Sequence, residues 1–245
     1  MLARIKPAVS ALRDPKMHRY SRSCGLYMFP PYPSDAYRRL LMELQDAGGN
    51  WPHFVEIGPA DGTSIYVRHD IDTLACVQNA KTLTAINLEL GIPAAVYFRV
   101  DAEDYVLSEH AELARELAGA GFEVGLHTSC YAHDRPFDKL RADTLSFRDA
   151  TGLTPRSFTL HGLGYFNFWY RTWFRYTIRF RLAEFGYEFT DCSRGLRVYR
   201  HVVEDCHIDP NSGHRCLKTD VLSAPNLIGI TGNLLVLTHP CYWKD

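Results

Sequence analysis

Ser64-Ile65-Tyr66-Val67-Arg68-His69-Asp70-Ile71-Asp72-Thr73 is the stretch whose reading decides the fold. Ser64 to Arg68 is short, mostly apolar and rich in β-branched and aromatic residues, which predicts a buried strand. Thr73 to Leu90 then predicts a helix, closed by Gly91. A buried strand that ends in Arg68, His69, Asp70 and Asp72 matches α/β folds, whose chemistry gathers at the C-terminal ends of strands.

Outward from this stretch the same unit recurs. Ala94 to Val100 predicts a strand and Ser108 to Ala120 a helix; Phe122 to Leu126 is the next strand, and Phe137 to Thr151 a helix before Gly152. Arg156 to Leu160 is a short strand, followed by an aromatic helix from about Phe168 to Phe185. Tyr187 to Thr190, segments near Val198, Val221 and Ile228, and finally Leu234 to Thr238 supply further strands. Upstream, Ser34 and Asp35 can cap a helix carrying Tyr37, Leu40, Leu41 and Leu44, stopped by Gly48-Gly49. Residues 1–33 read as an N-terminal arm, and 34–245 as one domain. Repeated strand-helix units imply parallel strands, hence an α/β sheet or barrel.

Composition narrows the function classes. The 245 residues are 46% hydrophobic and 13% aromatic, enough for a sizeable core. Lys and Arg number 27 against 28 Asp and Glu, so no broad electrostatic grip on nucleic acid is expected. No run reaches the roughly 18 apolar residues of a membrane span. The first residues lack an apolar signal-peptide core. Seven cysteines, odd in number and irregular in spacing, form no disulfide framework. A cytoplasmic location is the expectation.

Four predicted strand ends carry His or Asp: Arg68 to Asp72, His127, His161-Gly162 and His239-Pro240. They converge on one mouth if the sheet curls. Neutral imidazoles with one carboxylate suit a divalent metal, zinc foremost and cobalt or nickel as substitutes. A second carboxylate can take a proton from metal-activated water, and a further His can protonate a leaving group. Asp70 and Asp72 face one side in an extended segment, with His69 opposite in a structural role. Asp72 can instead cap the helix that follows, and capping does not exclude metal binding.

The chain also resembles a known family. Tyr37-Arg38-Arg39-Leu40-Leu41, Arg68-His69-Asp70-Ile71-Asp72, Gly91-Ile92-Pro93-Ala94 and Gly121-Phe122-Glu123-Val124-Gly125-Leu126-His127 match it in order. So do Gly186-Tyr187-Glu188-Phe189-Thr190-Asp191 and Leu237-Thr238-His239-Pro240-Cys241-Tyr242-Trp243. Together these resemble the polysaccharide deacetylases related to nodulation-factor deacetylase, carbohydrate esterase family 4, in the branch that begins with Arg-His-Asp-x-Asp. The resemblance implies a distorted (β/α) barrel of about seven strands and metal-dependent hydrolysis of an acyl group, N-acetyl foremost, on a sugar or polysaccharide precursor. It implies Asp70 as base, His239 as general acid, and Asp72 and His127 as metal ligands.

The family's His-x-x-x-His spacing would put the second metal His at position 131, which is Tyr131. His133 is the first choice for that ligand and His161 the second. His161 otherwise serves the substrate, binding a carbonyl or a phosphate. Arg68 joins it as a substrate-binding residue, or orients a carboxylate through a bidentate pair. Arg171, Arg175 and Arg179 form a stripe on the aromatic helix, either a solvated basic edge or a surface for a glycan, a nucleotide-sugar or a lipid headgroup. Cys206-His207 and His214-x-Cys216 lack the separation of structural zinc sites, Gly162-x-Gly164 lacks a phosphate-loop context, and Cys130 lacks an orienting partner for nucleophilic work. The competing functions are a barrel that binds glycan without catalysis and a hydrolase for a formyl or other non-acetyl amide. The oligomeric state is not legible in the sequence.

Overall fold

The apolar strand that begins before Ser64 does not stop at Arg68. It runs from Thr63 to Ile71, so the charged motif lies inside the strand. Parallel ladders on both sides hold it: Ile71 pairs with Phe98, and His69 with both Val96 and Thr238. Backbone pairing overrides the polar side chains, because each charged residue here has its own partner.

The computed structural model describes residues 32–56, 63–161, 168–190, 199, 201–205, 219–221, 224 and 232–244. Expectations for residues 1–31, the strands near Val198 and Ile228, Gly162-x-Gly164, Asp191, Cys206-His207 and His214-x-Cys216 lie outside these residues, as do the side chains of 168–172.

In chain order the elements are β1 (Tyr32–Pro33), α1 (Ser34–Asp46), β2 (Thr63–Ile71), α2 (Leu74–Leu90), β3 (Ala94–Arg99) and α3 (Ala111–Gly119). Then come β4 (Glu123–Thr128), α4 (Pro136–Thr151), β5 (Ser157–Leu160), α5 (Phe168–Ile178), β6 (Phe189–Thr190), β7 (His201–Glu204), β8 (Thr219–Asp220), β9 (Gly232–Thr238) and β10 (Trp243–Lys244). Strands β2 to β9 form one all-parallel sheet in the order β6-β5-β4-β3-β2-β9-β7-β8. It is a curled half-barrel, in agreement with the expected distorted (β/α) barrel. Among the described residues no pairing joins β6 to β8, so the curl stays open on that side.

Three boundaries differ from the expectations. Ser34 is the first residue of α1 rather than its cap, and no side chain caps that helix. The aromatic helix stops at Ile178, and a separate 3-10 turn covers Leu182–Phe185. Tyr32–Pro33 pairs with Trp243–Lys244 as a small second sheet, tying the start of the domain to its last described residues.

The alternation of strand side chains separates two apolar clusters. Ile65, Val67 and Ile71 of β2 face the helices, in a large core with Leu41, Leu44, Leu83 and Phe147. Tyr66 faces the opposite, concave side with Ala95, Tyr97, Leu235, Leu237 and Phe54. Residues 68 and 70 share that concave face, so the strand aims its charged side chains into the half-barrel. Tyr97 fits there because Gly125, on the neighbouring strand, has no side chain: a Cβ at that position would lie 2.3 Å from the Tyr97 ring and 2.8 Å from the Ser157 carbonyl. The Tyr97 hydroxyl then reaches Ser157 Oγ at 2.8 Å.

Gly125→Ala is therefore expected to destabilise the fold by about 1–3 kcal/mol, the usual range for overpacking. Chemical denaturation would read the difference as a lower midpoint.

Candidate active site

Arg68 and Asp70 stand two residues apart on the concave face of β2 and form a bidentate pair. Arg68 donates from Nε to Oδ1 at 2.7 Å and from Nη2 to Oδ2 at 2.5 Å. Both are buried. Burial alone would raise the Asp70 pKa, but the guanidinium and His127 hold it below the usual carboxylate range. Asp70 is thus an ionised base with a fixed direction.

Asp72 continues the same alternation one residue beyond β2. It does not cap α2: the Thr73 hydroxyl accepts from Cys76 N at 3.3 Å, and Asp104 accepts from Leu74 N at 3.0 Å. The Asp72 carboxylate turns instead toward three imidazoles. His127 Nε2 lies 3.3 Å from Oδ1, while His161 Nε2 and His239 Nε2 lie 3.6 and 3.5 Å from Oδ2. Burial opposes its charge, but His127, His239 and His161 together hold its carboxyl well below the ordinary range. Tyr105 secures the scaffold beneath, its hydroxyl donating to the Ile71 carbonyl and accepting from Arg99 N, each at 2.9 Å.

Each ring is held from behind by its other nitrogen. His127 Nδ1 meets Thr159 Oγ1 at 2.7 Å, since His127 and Thr159 are register partners on β4 and β5. His161 Nδ1 meets Ser129 Oγ at 3.2 Å. Arg99 Nη1 lies 3.4 Å from His161 Nε2, and Arg99 is itself held by Asp101. Burial lowers the His161 pKa to about 4 against the pull of Asp72, so this ring is neutral near pH 7.

His239 is arranged for the opposite state. Asp205, fully buried, accepts from His239 Nδ1 and from His239 N, both at 2.7 Å, and from Trp243 Nε1 at 2.6 Å. Burial would lower the ring's pKa, yet the Asp205 carboxylate overrides it and raises it to about 9. His239 accordingly carries a proton on Nε2 at neutral pH.

His69 points the other way, as alternation requires. Its Nε2 donates to Asn87 Oδ1 at 3.1 Å, an oxygen that also accepts from Tyr37. Nδ1 meets the hydroxyl of its register partner Thr238 at 2.6 Å. Burial, against the Asn87 bond, lowers its pKa to about 4, so it is a neutral structural group.

The structure thus brings together Arg68, Asp70, Asp72, His127, His161 and His239 from four strand ends. It does not bring in His133, which is exposed beyond the 3-10 turn Cys130–Ala132. Among the described residues no side-chain bond or ion pair joins His133 to the cluster. Cys130 is buried in the helix-facing core. Asp205, Thr159, Ser129 and Arg99 were missed in the sequence. The polar alternation Ser157, Thr159, His161 was the available signal for Thr159, because period-two polarity marks a concave-facing row. Asp205 had none: it reaches His239 only through the pairing of β7 with β9.

Asp72, His127 and His161 are of the residue types that bind divalent cations. Asp72 Oδ1 is buried without a well-formed hydrogen bond, and imidazole nitrogens face the carboxylate with their second nitrogens anchored, the usual arrangement behind metal-ligating His. Among the described residues no group of three or more His, Cys, Asp or Glu side chains is arranged so that it could hold a metal ion as it stands. No helix among the described residues is long and apolar enough to cross a membrane.

Two titrations follow. In EDTA-treated protein, the His239 ring is expected to titrate near pH 9, and Asp205→Asn to bring it below 7, read by NMR of the imidazole nitrogens. His69 concerns stability. The unfolded chain takes up this proton below about pH 6.5, whereas the folded one resists until about 4. Its contribution is present above pH 6.5 and is lost as pH falls, by about 2 kcal/mol between pH 7 and 5. Denaturation at both pH values should show His69→Gln losing about that much less than the wild type.

No family model matches the chain, and no curated protein matches it in sequence. Among solved structures it is similar to IcaB from Ammonifex degensii, with a TM-score of 0.43 at 16% identity, over 63% of this chain and 73% of that one.

Proposed function

We propose that this chain is a metal-dependent hydrolase that removes an acyl group, N-acetyl foremost, from an amino sugar in a polysaccharide or its precursor. One observation carries the reading: three imidazole Nε2 atoms face the Asp72 carboxylate beside an Asp70 clamped by Arg68. The resemblance of the Arg-His-Asp-x-Asp segment and of the His239 segment to polysaccharide deacetylases supports the same chemistry.

Asp72, His127 and His161 would hold the ion. His161 replaces His133 as third ligand because it is neutral, anchored by Ser129 and directed at Asp72, whereas His133 is exposed. A bound zinc, or cobalt or nickel in its place, supplies Lewis acidity toward the acyl oxygen and a lowered pKa for water, toward about 7. Asp70 accepts the proton from the attacking water. Arg68 keeps that carboxylate ionised and aimed, which makes it a positioning residue rather than a direct substrate contact. His239 donates its Nε2 proton to the departing amine, and Asp205 keeps that proton available at neutral pH. The ring must be protonated to act, so activity should fall as pH rises through about 9.

The test is release of acetate from N-acetylglucosamine oligomers. EDTA should abolish it and added zinc, cobalt or nickel restore it. Asp70→Asn and His239→Ala should each lower kcat/KM by about 10²–10⁴-fold. Asp72→Ala and His161→Ala should also lose the metal by elemental analysis, while His133→Ala should stay within about twofold of wild type. A folded protein that neither retains added metal nor releases acetate, yet binds the oligomers, would replace this reading with that of a glycan-binding barrel.

A further inference from the structure

Two thiols from distant parts of the chain meet behind the cluster of strand ends. Cys76 lies in the first turn of α2, the helix that follows Asp72. Cys241 lies in the 3-10 turn Pro240–Tyr242, which follows His239, and α2 packs against that turn. Both cysteines are reduced; Cys76 is fully buried and Cys241 half-buried.

The contact is between the sulfurs themselves. The Cys241 thiol hydrogen-bonds to the Cys76 sulfur. That sulfur also accepts from the Thr73 hydroxyl at 3.4 Å and from the backbone N–H groups of Asp72 and Cys241. Thr73 is fixed in turn, because its oxygen caps α2 by accepting from Cys76 N at 3.3 Å. The same hydroxyl reaches Cys241. Donors converging on one sulfur favour its thiolate against the cost of burial, and a thiolate is the reactive form of cysteine.

Sulfurs already in contact, on two elements that already pack together, need little backbone movement to reach the disulfide length of about 2.05 Å. We propose that Cys76 and Cys241 are a reversible modification site, closing to a disulfide under hydrogen peroxide and reopening under a dithiol reductant. One sulfur of the pair attacks a peroxide oxygen, the O–O bond breaks, and water leaves a Cys–SOH group. The other sulfur attacks that group, the S–O bond breaks, and a second water carries off the remaining thiol proton. The pair gives up two protons and two electrons, and the peroxide becomes two waters. A dithiol reverses this by two exchanges and is itself oxidised to a disulfide. The inference is independent of the hydrolytic reading, since it concerns the sulfurs alone. The bond would tie the segment after His239 to the helix after Asp72.

The experiment is peptide mass spectrometry of the full chain, reduced, desalted, treated with peroxide and then alkylated without reductant. The expected product is a peptide pair joined through Cys76 and Cys241, lighter by two hydrogen atoms and released by dithiothreitol. Its yield should fall about tenfold or more when the chain is unfolded in urea before oxidation, because the contact is then replaced by diffusion of a long loop. Cys241→Ser and, separately, Cys76→Ser should each abolish the link with unchanged circular dichroism, while Cys130→Ser should keep it. Should neither serine variant fold, the wild-type peptide map decides. Cys76 and Cys241 that stay open to alkylation after peroxide, that end as sulfinic acids without a link, or that pair with any other of the seven cysteines would overturn the proposal. So would a link that forms equally in urea.

Discussion

Buried negative charge is the constraint on which the mouth of this half-barrel depends. Asp70 and Asp205 are buried, and Asp72 is largely so. A carboxylate out of water costs several kcal/mol unless it is paired and hydrogen-bonded. Each has a different answer. Asp70 takes the guanidinium of Arg68 from its own strand; Asp205 takes the protonated His239 and two further N–H donors. Asp72 alone is left facing imidazoles, with one oxygen lacking a good donor. The three solutions yield three chemical states: a carboxylate fixed by a guanidinium, an imidazolium held by a carboxylate, and a carboxylate with acceptor capacity to spare.

The scaffold makes these states possible by dividing labour across β2. Its outward residues Ile65, Val67 and Ile71 join the helix-facing core, while inward residues carry the charge. The neutral His69 sits on the outward side and bridges β9 and α2 through Thr238 and Asn87. The same strand therefore links hydrophobic packing to the electrostatics of the mouth, to which β4, β5 and β9 each add one anchored ring at or just past their ends. Gly125 contributes by omission, since the space of its missing side chain is where Tyr97 stands.

Much of this was legible residue by residue. The apolar run before Arg68, the repeated strand-helix units and the His at strand ends carry local periodicity, and the parallel α/β class follows from them. Thr159 was legible only as part of a period-two polar row. His133 and His161 illustrate the limit. Sequence spacing ranks them by distance along the chain from His127, whereas the register of β5 on β4 puts His161 beside it and the turn at Cys130–Ala132 leaves His133 exposed.

By itself the sequence determined the α/β class, the parallel succession of strands, and the face on which Asp70 and Asp72 stand, because these follow from periods of two and of 3.6 residues that any short segment displays. The tertiary structure alone decided which side chains answer Asp205 and face Asp72. Asp205 and His239 are 34 residues apart in the chain and meet only because β7 lies beside β9. Partners of that kind are selected by strand order and register, and by the cost of leaving a charge unpaired away from water.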